Sequence, residues 1–336
     1  MFKKIIIGVV VLGVIVLAGW KLFFSGGDVS TTIEKKRDEL TAYHMEATMD
    51  IEQGENVKNY LVKTDYQKLE DNDENFKVSL TDTNINQEQI IIKNKEGVYV
   101  LTPTLNQVYK FKSEWPTNSP KPYLYHAILD SFDEKHEIKK VDDGIIVTTN
   151  PTYKNNPNWV KQDVKLTNDL APKYVNIYNA KNEAIVKINF TSVDFSPKFE
   201  DGYFDVKVTM QEARSTMSET TSSTEKDFPL YPTGASVSAT KKEEITSNIG
   251  GEEVVIMVYE GADSFTVVQQ LLESNEDLVI SEVDGDLESV FSGVAYSKNN
   301  YLIYVEDNIK YQIYSKDLTT AQKLEVAQGM EYSIMK

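Results

Sequence analysis

The sequence predicts an α+β protein: one apolar helix at the N-terminus, a large antiparallel β unit with a helical insertion, then a smaller α+β unit. Three observations predict it. Period-two alternation of apolar and polar residues recurs through most of the chain, a Ser/Thr-rich stretch interrupts it near residue 213, and the first 24 residues are almost wholly apolar. With 336 residues, 40% hydrophobic and 26% charged, the chain is large enough for two cores. Its 19 Tyr and 13 Phe favour strands and supply bulk for packing.

The N-terminus reads Met1-Phe2-Lys3-Lys4, followed by an apolar run from Ile5 to Phe24 that only Lys21 interrupts. About twenty apolar residues span a bilayer. Lys3 and Lys4 place the N-terminus in the cytoplasm, while Trp20, Phe23 and Phe24 suit the opposite interface. The expectation is a single-pass cell-membrane protein, attached to the cytoplasmic membrane through residues 5–24 with its bulk outside. A cleaved signal peptide is the competing reading, although no small-x-small site follows the run. Residues 1–27 are therefore assigned to the anchor and a Ser25-Gly26-Gly27 spacer.

Residues 28–212 form the predicted large domain. Thr31 stands three residues before Glu34, a capping-box pattern that predicts a helix running to about Tyr43. The sets Tyr60, Val62, Thr64, Tyr66 and Ala184, Val186, Ile188, Phe190 each line one face of a half-buried strand. Phe204, Val206, Val208 and Met210 read as a further strand by the same rule. Turn signals fall between strands at 94–97, 142–144, 179–182 and 200–202. After the proline-rich stretch 115–122, Leu124, Ile128 and Phe132 stand at helical spacing.

Residues 213–227 (ARSTMSETTSSTEKD) read as a Ser/Thr-rich linker. The smaller α+β domain, 228–336, is predicted to hold strands near 253–259, 265–271, 301–305 and 311–314. A helix capped by Thr319 with Gln322 closes it near Gly329.

The net charge is −17, and residues 228–336 alone carry −11, which disfavours nucleic acid and anionic headgroups as partners. The absence of cysteine excludes disulfides, thiol nucleophiles, cysteine-bound metal and a lipobox. His44, His126 and His136 are too far apart in sequence for a metal pattern, and His44 is expected at a helix C-terminus. Two Ser-x-x-Lys matches, at Ser223 and Ser238, lack the further motifs of penicillin-recognising enzymes. The acidic turns 70–74 and 284–286 lack the calcium-loop spacing and read as solvated. No phosphate loop, Gly-x-Ser-x-Gly or His-Glu-x-x-His occurs. No catalytic residue, metal ligand or cofactor is assigned, and a non-enzymatic role is expected.

The segments VYVLTPTLNQVYKFKSEWP (98–116), PYLYHAIL (122–129) and WVKQDVKLTNDLAPKYVNIYNAKNEAIVKINFTSVDFSP (159–197) resemble the LolA-like lipoprotein-carrier superfamily. The similarity spans roughly residues 30–212 and is greatest to GerS-like germination lipoproteins of Gram-positive spore formers. The two-domain arrangement is similar to RseB. The resemblance implies an open, curved antiparallel β-barrel with helices on its concave face, whose apolar surface holds an acyl lipid or a protein partner. It implies a binding or scaffold role connected with sporulation, germination or the cell wall, with an RseB-like sensor as the alternative and a wall hydrolase behind both. The absent lipobox departs from the germination lipoproteins. The residues expected to line the groove are Tyr99, Leu101, Tyr109, Phe111, Trp115, Tyr123, Leu124 and Ile128.

Overall fold

A computed structural model describes residues 26–53, 56–70, 73–113, 115, 121–217, 228–233, 236–249, 252–291 and 293–331. The anchor predicted over residues 5–24 lies outside them; among the described residues no helix is long and apolar enough to cross a membrane.

Helix α1 (Gly26–Asp38) leads into five strands that follow one another as a meander. They are β1 (Ala42–Gln53), β2 (Asn56–Lys68), β3 (Glu74–Asp82), β4 (Gln87–Asn94) and β5 (Gly97–Thr102). A short turn, Pro103–Leu105, precedes β6 (Gln107–Phe111), and α2 (Tyr125–Asp130) follows. Strands β7 (His136–Val141), β8 (Gly144–Thr149), β9 (Lys161–Leu166), β10 (Pro172–Tyr178) and β11 (Ala184–Asp194) form a second meander that returns to pair with β1. Helix α3 (Val206–Thr216) ends this half.

The C-terminal half holds β12 (Tyr231–Pro232), β13 (Ala239–Ile249), β14 (Glu252–Gly261), β15 (Phe265–Leu271), β16 (Val279–Val283), β17 (Asp286–Glu288), β18 (Val294–Lys298), β19 (Tyr301–Glu306) and β20 (Ile309–Tyr314). Helix α4 (Thr320–Gln328) and β21 (Met330–Glu331) close it. One sheet of twelve strands runs β16-β6-β5-β4-β3-β2-β1-β11-β10-β9-β8-β7, and one of seven runs β13-β14-β15-β20-β19-β18-β17. The larger sheet is open, with β16 and β7 at its edges. The chain is mostly β with few helices, as its alternation predicts.

Two elements differ from expectation. Helix α1 spans Gly26–Asp38, so Thr31 lies inside it and not at its start; Tyr43, Met45, Ala47, Met49 and Ile51 are buried at every second position, which only a strand from Ala42 satisfies. The stretch read as a strand around Val206 is helix α3. The Asp205 carboxylate accepts hydrogen bonds from the backbone N–H of Lys207 (2.8 Å) and Val208 (2.9 Å), capping the helix. Val206, Thr209, Met210 and Ala213 are buried at helical spacing, while Val208 is 42% exposed. Ala213–Thr216, expected in the linker, are its last turn, and residues 218–227 lie outside the described residues.

Helix α4 matches its prediction: Thr319 accepts from Gln322 N–H, Gln322 reaches back to the Thr319 backbone, and Gly329 is the C-cap. The two halves are joined by more than the chain. Strand β16 adds to β6 in a parallel ladder from Val279 opposite Gln107 to Val283 opposite Phe111. Leu287, Val294, Ile303 and Val305 of the smaller sheet pack into the core built by β1–β3 and β9–β11. The opposite face of the smaller sheet buries Met257, Val267, Leu302, Tyr304 and Ile313 with Leu324 and Val326 of α4.

The β7–β8 turn depends on a glycine. Gly144 has φ +147°, and a Cβ there would stand 2.0 Å from the Leu166 carbonyl oxygen on β9. Gly144→Ala is expected to cost about 1–3 kcal/mol from backbone strain alone, with the displacement of β9 added to it. Urea unfolding would measure it; a loss under about 0.5 kcal/mol would show that the ladder tolerates the shift.

Candidate functional site

The eight residues expected to line one groove divide between two faces of the large sheet. Phe111, Trp115, Tyr123, Leu124 and Ile128 join the main core, with Tyr109 packed against it. Tyr99 and Leu101 point the other way, into a cluster with Ile90, Ile92 and Val108 under α3. Strand pleat dictates this: Val98 and Val100 take the face that Tyr99 and Leu101 leave. One groove therefore cannot hold all eight, and α3 covers the face that Tyr99 and Leu101 occupy.

The six that share a face are closely packed. Trp115, Tyr123, Leu124 and Ile128 are at most 2% exposed. A cavity of about 10 Å³ lies beside Trp115 and Tyr123, bordered by Gln89, Ile91, Leu287 and Val290 at the seam between the sheets. That volume is less than an acyl chain needs, so a lipid would have to displace side chains to enter. The proline-rich lead-in at 116–120 lies outside the described residues.

Beneath α2 is an aromatic cluster centred on His126. Its ring lies 4.3 Å from Tyr66, 5.5 Å from Phe76 and 5.6 Å from Tyr43, and Tyr43 stacks on Tyr66 at 5.3 Å. Burial pushes the His126 imidazole down to about 4, with Arg37 and Lys93 adding to the effect against an opposing pull from Glu74. The ring is neutral at physiological pH. Lys121, 2% exposed, is likewise lowered by burial to about 8, with Lys154 contributing.

A separate polar network lies on β1 and β2. His44, expected at a helix end, sits on β1, where Nδ1 is 2.6 Å from Asp65 Oδ1; the Tyr203 hydroxyl donates to Asp65 Oδ2 at 2.9 Å. The Asp65 hydrogen bond raises the His44 pKa. His136 is half-buried, with Nδ1 2.8 Å from the Glu134 carbonyl. Among the described residues no three His, Asp or Glu side chains converge as a metal cluster. Ser223 and Lys226 lie outside the described residues, and Lys241 is ion-paired with Glu244 at 2.6 Å.

Among the described residues, β13 is an open edge strand. It pairs with β14 along one side, and as the end strand of its sheet it presents its other edge outward. Every residue from Thr240 to Ile249 is exposed, with Ile245 at 43% and Ile249 at 59%. Sequence reasoning missed this strand because a segment exposed on both faces has no apolar alternation to detect.

No family model matches the chain. Across 313 residues it is 27% identical to the Bacillus subtilis (strain 168) protein named Sporulation protein YdcC, covering 90% of each chain. The chain is similar over nine-tenths of its length to a sporulation protein. Solved structures similar to it include the Pseudomonas aeruginosa MucA/MucB complex, at 12% identity and a TM-score of 0.33, over 91% of this chain and 99% of that one. A putative outer membrane lipoprotein-sorting protein domain from Vibrio parahaemolyticus matches at 14% identity and a TM-score of 0.32, over 54% and 97%. MucB is RseB-like and the sorting domain LolA-like, the two groups that the sequence resembles. TM-scores near one third are too low to carry an argument about role.

Proposed function

We propose that the chain is a membrane-tethered, extracytoplasmic binding protein of sporulation that captures an extended segment of a partner protein along the free edge of β13. The observation that carries this reading is the eleven-residue edge strand with ten consecutive exposed residues. Exposed edges present a row of unpaired N–H and C=O groups, and strand addition satisfies them. Proteins commonly guard such edges with charge. Here Lys241, Lys242, Glu243 and Glu244 guard the first half, while Ile245-Thr246-Ser247-Asn248-Ile249 carries none. The named sporulation relative supplies the process, and the apolar run over residues 5–24 supports the tether.

A photo-crosslinking amino acid placed at Ser247 in sporulating cells is expected to trap one protein reproducibly. The same probe at Lys139, on the β7 edge of the other, larger sheet, is expected not to trap it. Equal trapping at both positions, or none at Ser247, would sink the reading.

The second reading is an acyl lipid against Trp115, Tyr123, Leu124 and Ile128, favoured by the apolar character of that face. It requires α2 to move off the sheet. Mass spectrometry of the purified full chain separates the two: stoichiometric lipid with no Ser247 crosslink supports the lipid.

A further inference from the structure

Two tight turns from distant parts of the chain meet at the seam between the sheets. Asp307 and Asn308, with φ of +52° and +58°, make the turn joining β19 to β20; the second turn, between β3 and β4, follows Asp82. Between them lies a cavity of about 20 Å³, lined by Asp82, Gln89, Thr102, Gly293, Asp307 and Asn308, among others. That is room for one water-sized guest.

Its lining is short of positive charge and of donors. Gln89 is 6% exposed; its amide N–H₂ donates to the Gly293 carbonyl, and its Oε1 has no hydrogen-bond partner. Thr102 Oγ1, Asp307 Oδ1 and Asn308 Oδ1 are also buried without partners. Gln89 Oε1, Asn308 Oδ1 and the ionised Asp307 carboxylate can only accept, so they cannot satisfy one another. A single water has two protons to offer and leaves acceptors unsatisfied. The charged side chains at the cavity are Asp82, Glu88, Glu306 and Asp307, against Lys58, whose ammonium donates to Glu306 at 3.0 Å. Four carboxylates face one cation.

We propose that this cavity binds a hard divalent cation, calcium foremost, through Asp82 and Asp307 with the side-chain oxygens of Gln89, Thr102 and Asn308. All-oxygen sets of carboxylate, amide and hydroxyl groups suit calcium, which accepts irregular geometry more readily than magnesium. The site differs from a three-carboxylate cluster in drawing three of its five ligating side chains from neutral groups, and sequence reasoning assigned it no metal. Bound there, the ion clamps a β3–β4 turn of the larger sheet to a β19–β20 turn of the smaller one.

Calorimetric titration of CaCl2 into the chelator-treated full chain in detergent is the test. At pH 8 it should show one site with a dissociation constant on the order of 10⁻⁴ to 10⁻³ M. Asp307→Asn should abolish it, and Asn308→Ala, which leaves the carboxylates in place, should weaken it. The proposal falls if no heat is released at pH 8, or if Asp307→Asn and Asn308→Ala both bind as the parent does, which would assign the calcium to surface carboxylates such as those at 70–74.

Discussion

Phe76→Ala is expected to lower the unfolding free energy by about 4 kcal/mol, the largest single-residue effect anticipated in this chain. Phe76 is 2% exposed on β3 and packs against three rings: Tyr66 at 4.9 Å, His126 at 5.5 Å and Trp115 at 6.0 Å between ring centroids. Lys93 lies over its other side, 5.5 Å from the centroid. Removing the ring costs its transfer free energy and leaves a void that collapses poorly, because Tyr66 beside it is held by the β2–β3–β4 ladder. Phe76→Leu, which refills most of the volume, should retain most of the stability. Urea unfolding of the three proteins measures the series. A cost under about 1 kcal/mol for Phe76→Ala would mean that the ring already faces water. The face beside α2 would then be an open groove, and the lipid reading would gain over the strand-edge one.

The elements legible in the sequence are those whose signal is local. Helix α4 was readable because Thr319, Gln322 and Gly329 each report a helix end by themselves. Strand β2 was readable because Tyr60, Val62, Thr64 and Tyr66 bury one face over a solvated one. Helix α3 was not, since Val206, Val208 and Met210 fit a period of two as well as Val206, Met210 and Ala213 fit a helix. The deciding sign was Asp205, an N-cap type directly before the run. The placement of Tyr99 and Leu101 was also open to inference. The unbroken apolar runs Ile90–Ile92 and Val98–Leu101 are the mark of strands covered on both faces, so alternate residues had to leave the groove. The β6–β16 ladder was not legible, because a parallel pairing between segments about 170 residues apart leaves no local trace. The cavity at Gln89 and Asp307 is hidden for the same reason: each turn is ordinary alone, and only their meeting orphans the oxygens.

Acid should weaken the fold through His126, by about 2–3 kcal/mol between pH 7 and pH 4.5. Burial holds its imidazole down to about 4 in the folded chain, against an ordinary value of 6.5 when unfolded. Below 6.5 the unfolded chain takes up a proton that the folded one refuses. The contribution is therefore complete above 6.5 and is lost as pH falls toward 4. Two other groups run the opposite way. His44, raised by Asp65, stabilises below 6.5, and that stability is lost as pH rises through its folded value. Asp307, raised from 3.8 to about 7, stabilises the fold below 3.8 and loses that contribution as pH climbs toward 7. Total stability against pH thus mixes opposing trends, and the His126 part must be read as a difference. His126→Phe keeps an aromatic ring between Tyr66 and Phe76 but removes the proton site. The stability of the parent minus that of His126→Phe is expected to fall by about 2–3 kcal/mol from pH 7 to pH 4.5, while the His44 and Asp307 contributions cancel. Nuclear magnetic resonance of the His126 ring protons gives an independent reading, with a midpoint near 4 expected. A midpoint at or above 6, or parallel pH curves for the two proteins, would show that water reaches the ring. The aromatic cluster beneath α2 would then be a solvated pocket and not a closed interior, and the proposal of a partner at the β13 edge would lose ground to the lipid one.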